Sequence, residues 1–534
     1  MKKIAKFFGI ITIIVIFALL MAACKNNTSS TSLDEEEEDN KPPVDLPVGG
    51  TGNPSTSWYT ANSSAAVFHI KDADELAGLA ELVNRKVNPV DFYSKTIILD
   101  ENLELSAYGK NKSFNHGNGW IPIGNTKPPK HSFKGIFEGN NKSISGLYVN
   151  IDDGDIDAGL FGFVETAIIK DLKLLDVDVN SIECAGCLVG DSDFSIISNC
   201  SAEGKVNSKA ETGGLAGYFN YSEMSGCYAE VTVTIASNVS IAYDAGGLVG
   251  YARYSTITSC YATGTVSGYD TIGGLVGHAE SSSIINSYAT GKVNADDYDA
   301  GGLVGRSYST SISKCYATGA VSSDNFAGGL VGEIDHDCEI NRSYATGNVK
   351  GRDFYSIGGF AGSVSYSEMQ DCYATGTVSG GHETGGLVGT ADFATIIKCY
   401  ATGAVSSEEN GGGIVGYVFG GVVEQCFALN PSITPMNGSI ENTFDRVAGY
   451  DHDGNCGYNL AYMNMDLQIL PSSDSVHGND RSITAIKERS TYNTIFFKWD
   501  FGGVNPWKWD ASYPIPVLSW QEPSSYPPLP EYLR

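Results

Sequence analysis

Positive charge is scarce in this chain. Its 34 Lys and Arg stand against 62 Asp and Glu, a formal net charge of -28, with an isoelectric point near 4.6. That excess of carboxylates argues against nucleic acid as a partner and against charge-driven binding to anionic lipid headgroups. Helical periodicity is scarcer still, and only Asp72 to Val83 carries it. Catalytic signatures are missing too. His382-Glu383 lacks the second His four residues on, and neither a Gly-x-Ser-x-Gly elbow nor a phosphate loop occurs. Cys184 and Cys187 have no second pair at zinc-ribbon spacing, which sets metal binding aside. Asp451-His452-Asp453-Gly454-Asn455 departs from a calcium loop in its misplaced Gly and in having no closing Glu. The expectation is no metal, no cofactor and no enzyme.

What the chain does have is a repeat. Gly246-Gly247-Leu248-Val249-Gly250 returns with closing glycines at 277, 305, 332 and 389, and in weaker form at 162, 190, 217, 362 and 416. Successive spacings are 28, 27, 33, 27, 28, 27, 30, 27 and 27 residues. A second block, Cys260-Tyr261-Ala262-Thr263-Gly264, shares the period, with copies starting at Ser287, Cys315, Ser343, Cys372 and Cys399 and degenerate forms at Cys200, Cys227 and Cys426. From closing glycine to Cys or Ser is 10 residues in eight of nine units. Length therefore varies in the other segment, as a loop set on one face of a solenoid would.

The unit reads as β, with apolar islands at Leu248-Val249, Ile257 and Val266 between Gly, Ser, Thr and Asn. A 27-residue coil has a contour of about 90 Å, room for three short strands and their turns, and coils stack at about 4.8 Å. This predicts an all-β, right-handed parallel β-helix of about 27-residue coils, with a β-propeller as the alternative. Alternation puts Cys260 and Ala262 on the inner face and Tyr261 and Thr263 on the outer. Tyr261, Tyr288, Tyr316, Tyr344, Tyr373 and Tyr400 then form an outward ladder, either a ligand-binding strip for sugar rings or an extended chain, or rings that only shield the strand. The column cysteines are expected as buried free thiols, because Ser287 and Ser343 leave some without an adjacent partner.

The ends differ from the middle. Residues 1–24 read as a lipoprotein signal: Lys2, Lys3 and Lys6, an apolar stretch from Phe7 to Leu20, then Met21-Ala22-Ala23-Cys24. Cys24 would carry the lipid and hold the protein to a membrane. The alternative is an uncleaved anchor, for which the stretch is short. Residues 25–63, with Glu35 to Asp39, read as a disordered acidic tether. Residues 64–157 hold an N-terminal cap, a helix from Asp72 to Val83, and the first coils. Residues 158–430 form the repeat, and residues 431–534, with four of the six Trp, form a C-terminal cap. Two acidic clusters, Asp152, Asp153, Asp155 and Asp157 and then Asp296, Asp297 and Asp299, fall in the variable segment. Polysaccharide lyases and hydrolases also use β-helices, so a glycan-processing enzyme is the competing function class.

The alternation of Gly-Gly-Leu-Val-Gly with Cys-Tyr-Ala-Thr-Gly resembles the GLUG-motif repeats of bacterial surface proteins over roughly residues 158–428. That family includes adhesin-like proteins and parts of IgA-cleaving metallopeptidases, whose zinc motif is absent here. The resemblance implies an exported, surface-exposed adhesion or scaffold protein of the cell envelope, at the outer membrane or cell surface, with a host or matrix protein or a glycan as partner.

Overall fold

The computed structural model describes residues 46–152, 154, 156–235, 244–351, 355–436, 443–468, 476–494, 496–501 and 505–534. Cys24, the signal segment, residues 25–45, and Asp153 and Asp155 lie outside them. Pro47 to Arg534 form one compact unit, a parallel β-solenoid.

One coil shows how the period folds. Thr271–Gly273, Val276–Glu280, Ser283–Ile285, Tyr288–Ala289 and Val293–Ala295 are its strands. Each pairs in parallel with its equivalent one coil away, so Val276 opposes Val249 and Val304, and Tyr288 opposes Tyr261 and Tyr316. The first strand type builds a nine-stranded sheet and the second an eleven-stranded sheet; the remaining types merge into a 34-stranded sheet. The coil thus has five strand pieces where its contour suggested three. Two of its corners are a single residue in the left-handed region, at Ser281 (φ 49°) and Asn286 (φ 50°), and these break a face without needing a loop.

Behind each such corner a small polar side chain points inward. Ser282 Oγ accepts the N–H of Ser255 at 3.0 Å and donates to Glu280 O at 2.8 Å. Ser287 Oγ accepts from Cys260 N at 3.1 Å, and Cys260 Sγ accepts from Cys227 N at 3.4 Å. A thiol or a hydroxyl does the same work there, which is why Cys and Ser exchange. The described cysteines are free, and those of the column are buried. At residue 337 an extra corner residue is accommodated, with His336 and Asp337 both at positive φ, and this is the one unit whose spacing is 11.

The motif glycines answer to neighbouring coils. A Cβ at Gly274 would lie 2.0 Å from Gly302 O, and one at Gly291 would lie 1.8 Å from Gly264 O. The coils approach too closely for any side chain at these positions.

At the N-terminal end the helix spans Ala73–Asn84, and Asp72 caps it by accepting from Glu75 N. Leu76, Leu79, Ala80 and Val83 are buried, as their shared face predicts, and so are Ala77 and Leu82. The helix is bound to the coil of residues 122–133: Asn84 Nδ2 donates to Pro122 O at 2.8 Å, and His131 Nδ1 meets Val83 O at 2.9 Å. Residues 47–63, read from composition as part of the tether, instead pack on this helix. Trp58 Nε1 donates to Glu75 O at 3.1 Å, and its ring stacks on Phe92 at 6.0 Å. Among the described residues no helix is long and apolar enough to cross a membrane.

At the other end the repeat outlasts Cys426. Ser432–Pro435, Phe444–Asp445, Ala448–His452 and Leu460–Tyr462 continue the sheets in register. Asn459 Oδ1 takes the place of the column thiol and accepts from Cys426 N at 2.9 Å. From Ser482 onward the chain leaves the solenoid sheets. It folds back as a strap along the side of the coils, through short helices Ile483–Ile486 and Arg489–Tyr492 and the antiparallel pair Trp507–Lys508 and Val517–Leu518.

Candidate functional site

Two aromatic columns run up the solenoid. The first is the expected tyrosine ladder, extended by Tyr228. From Tyr228 to Tyr400 successive rings stack 4.7–5.0 Å apart and within 6° of parallel. The strand register fixes that spacing.

Half of this ladder is not on the outside. Tyr344, Tyr373 and Tyr400 are buried, in a second hydrophobic cluster with Trp499, Trp507, Ile515, Val517 and Leu518 of the strap. Tyr400 Oη donates to Pro516 O at 3.0 Å, and Gln521 Nε2 donates to Tyr373 Oη at 2.7 Å. These three tyrosines are therefore corrected from candidate ligand contacts to an internal docking face. Alternation did turn them away from the coil core, but the strap's tryptophans cover what it turned out. Tyr261, Tyr288 and Tyr316 remain half-buried, and among the described residues Trp520 is the strap ring that approaches Tyr316, at 6.3 Å. Burial, followed by the neighbouring Tyr288, pushes the Tyr316 phenol up to about 12.

The second column went unread in the sequence. Phe194, Tyr221 and Tyr254, then His336, Tyr366 and Phe393, each stand four residues after a closing glycine, with Ser281 and Ser309 between the two runs. That fixed offset was available as a signal. These are the left-handed corners themselves, with φ of 46–50°, a costly conformation for a bulky side chain. Phe194 stacks on Tyr221 at 4.9 Å, Tyr221 on Tyr254 at 4.7 Å, and Tyr366 on Phe393 at 5.4 Å. Phe194 is 56% exposed, Tyr366 52% and Phe393 50%. Exposed apolar rings in such alignment form a continuous hydrophobic strip on the surface.

The acidic clusters divide. Asp296 and Asp297 are bonded to the coils on either side: their N–H groups donate to Gly268 O and Tyr269 O, and the Asp297 carboxylate accepts from Asn325 Nδ2 at 2.6 Å. Asp299 is buried, and burial, then the charge of Glu333, holds its carboxyl well above the usual range. Glu333 is raised as well, mainly by burial, while Arg306 at 3.0 Å opposes the rise. The Asp299 and Glu333 carboxyls hydrogen-bond to each other. A glycosidic bond needs two carboxyls about 5 Å or more apart, with the scissile atoms between them. In the other cluster Asp157 is buried and accepts from Thr126 Oγ1 at 2.5 Å. Burial, then Asp157, pushes the nearby Asp191 up to about 8, and its Oδ1 has no hydrogen-bond partner among the described residues. Among the described residues no group of three or more His, Cys, Asp or Glu is placed to hold a metal ion.

The architecture is that of a parallel β-solenoid with stacked aromatic faces. The chain carries the GLUG motif, matched at residues 241–267, 268–294, 296–322, 355–379 and 380–406. It is similar to halomucin of Haloquadratum walsbyi, 29% identical over 167 residues, which cover 31% of this chain and 2% of halomucin. A protein of Evansella cellulosilytica, provisionally named a Gly-rich membrane protein, is 35% identical over 91 residues, 16% of this chain and 10% of that one. The chain thus matches only a small part of these relatives' length. A crystal structure of a Bacteroides ovatus protein, provisionally named an immunoglobulin A1 protease, aligns over 85% of this chain and 93% of its own at 16% identity and a TM-score of 0.28.

Proposed function

We propose that this is a surface repeat protein of the bacterial cell envelope, lipid-anchored through Cys24, that binds its partner without transforming it. The names of the relatives favour the envelope, and the export signal and Cys24 favour a lipid anchor. The observation that carries the binding role is the exposed corner column, Phe194, Tyr221 and Tyr254 with Tyr366 and Phe393. Rings held rigidly by the coil lose little entropy on binding. Their edges and terminal faces suit the apolar C–H faces of a glycan or the side chains of a matrix protein.

The test is adhesion of cells displaying the full chain to immobilised glycans and matrix proteins. Tyr221→Ser with Tyr366→Ser should lower adhesion severalfold at unchanged melting temperature, and unchanged adhesion would sink the reading. Cys24→Ser should abolish lipid labelling. A polysaccharide-processing activity is the competing reading, because polysaccharide lyases and hydrolases also use β-helices. Release of reducing ends or unsaturated products by the purified chain would establish it over the first.

A further inference from the structure

The covered half of the tyrosine ladder shows how the ladder is recognised. Trp520 lies against Tyr316 and Tyr344, with ring centroids 6.3 and 5.7 Å away, and its Nε1 donates to Arg342 O at 2.9 Å. Trp499 lies against Tyr400 at 6.4 Å, and its Nε1 donates to Gln425 O at 3.0 Å. Trp507 lies over Tyr373 and Tyr400, and its Nε1 donates to Asp371 Oδ1 at 2.7 Å. Two acceptors are corner carbonyls, Arg342 O and Gln425 O, the third is the side-chain carboxylate of the equivalent corner, and among the described residues no indole bonds to the corner between them, Lys398. Arg342, Asp371 and Gln425 are left-handed corner residues with φ of 49°, 55° and 57°. Each stands two residues before a ring of the column: Tyr344, Tyr373 and Phe427. A corner acceptor beside a ladder ring can thus hold an indole, and the fold places such a corner in each of these coils.

The uncovered coils carry the same parts. Gly226, Ser259 and Asn286 are their corners, with φ of 63°, 55° and 50°, and Tyr228, Tyr261 and Tyr288 follow two residues on; Lys314, at φ 55°, precedes Tyr316, where Trp520 begins the covered part. Among the described residues no backbone N–H is bonded to the carbonyls of Ser259, Asn286 or Lys314. The ring stack crosses from the uncovered to the covered half without a change of spacing, 4.7 Å at Tyr288–Tyr316 and 5.0 Å at Tyr316–Tyr344. We infer that the strip from Tyr228 to Tyr288 docks an extended, tryptophan-bearing segment of a different protein. Its indoles would lie against the rings and bond to the free corner carbonyls. A second copy of this chain has no such segment to spare, because its own strap is engaged in cis at high effective concentration. This surface is separate from the exposed corner column, so the inference stands apart from the adhesion reading.

The experiment titrates the full chain with a synthetic peptide of residues 498–521, which carries Trp499, Trp507, Trp509 and Trp520, and follows the anisotropy of a dye on the peptide. Saturable binding is expected. Tyr261→Ser with Tyr288→Ser should weaken it at least about tenfold, the loss of roughly one to two ring contacts. Tyr261→Phe with Tyr288→Phe should retain it, and a peptide with its four Trp changed to Ala should not bind the unaltered chain. No binding up to millimolar peptide would overturn the inference. So would binding untouched by the double Ser change, which would mean that the peptide merely exchanges with the strap. Concentration-dependent dimers of the peptide-free chain, lost in the double Ser variant, would assign the strip to a second copy instead.

Discussion

Gly291→Ala and Gly268→Ala form a pair on which the packing argument can fail. Neither glycine sits at positive φ, so both changes probe space rather than backbone conformation. At Gly291 the new Cβ would meet backbone, 1.8 Å from Gly264 O and 2.7 Å from Gly264 C. Relief requires the coils to part by about 1.5 Å, because carbon and oxygen make ordinary contact near 3.4 Å. The flanking bonds, Thr290 N to Ala262 O at 3.0 Å and Val266 N to Lys292 O at 2.9 Å, would then lose good geometry. Two to four such bonds at about 1 kcal/mol each, with the lost packing, give a penalty of about 4 kcal/mol or more. At Gly268 the nearest atom is Ile272 Cδ1, 2.7 Å away, the free end of a side chain that can turn aside. The equivalent positions in the next two coils are already Ala295 and Ser323. Gly268→Ala should therefore lie within about 1 kcal/mol of neutral, its lower unfolded-state entropy helping. The measurement is hydrogen exchange of the amides in residues 260–320, alongside urea unfolding. Equal protection loss in the two variants would refute the claim that coil-to-coil approach, rather than glycine flexibility, dictates the motif.

Other outcomes follow from the same contacts. Trp507→Ala removes a fully buried ring and its bond to Asp371; it should cost about 3–5 kcal/mol, seen as proteolysis confined to residues 482–534 while the coils before Tyr316 stay protected. Cys260→Ser should be tolerated within about 1 kcal/mol, whereas Cys260→Ala strands the Cys227 N–H and should cost about 1–3 kcal/mol, read by thermal unfolding. Asp191 has its folded pKa raised from 3.8 to about 8. Its contribution to stability is therefore intact below about pH 4 and is lost as pH rises towards 8. Asp191→Asn should then flatten the stability profile across that window and stabilise the chain at pH 8 by about 1–4 kcal/mol, and a variant no more stable at pH 8 than at pH 4 relative to the parent would contradict this.

The coil, its strands and the helical cap were legible because each rests on a local pattern: the glycine period, the alternation in Cys260 to Thr263, the Asp72 cap before Leu76 and Leu79. The inner column was legible in part, since Cys and Ser exchange at one position. Its twin of Ser195, Ser222, Ser255 and Ser282, behind the other corner, was passed over because serine in a glycine-rich stretch looks like a turn. The exposed corner column was illegible for a related reason: a ring at positive φ contradicts backbone preference, whereas the tyrosines on strands follow it. The strap could not be read at all. Trp520 meets Arg342 across 178 residues, and nothing in either neighbourhood names the other. Position at the end of the chain suggested an end cap, whereas the tryptophans had a lateral surface to cover.

The strap also gives the rod a grain. Elsewhere bonds between coils join residues one or two turns apart, as Ser255 to Ser282 across 27, so turns can unspool one after another like thread from a bobbin. The strap is a lateral stitch, with Trp520, Trp507 and Trp499 fastened to coils from Arg342 to Gln425. Those turns must hold or yield together, while among the described residues nothing is sewn across the turns from Tyr228 to Tyr288. Under tension a force–extension trace should therefore show small, regular steps from the unstitched turns and one tall event from the stitched ones: a compliant half and a stiff half made from the same repeat.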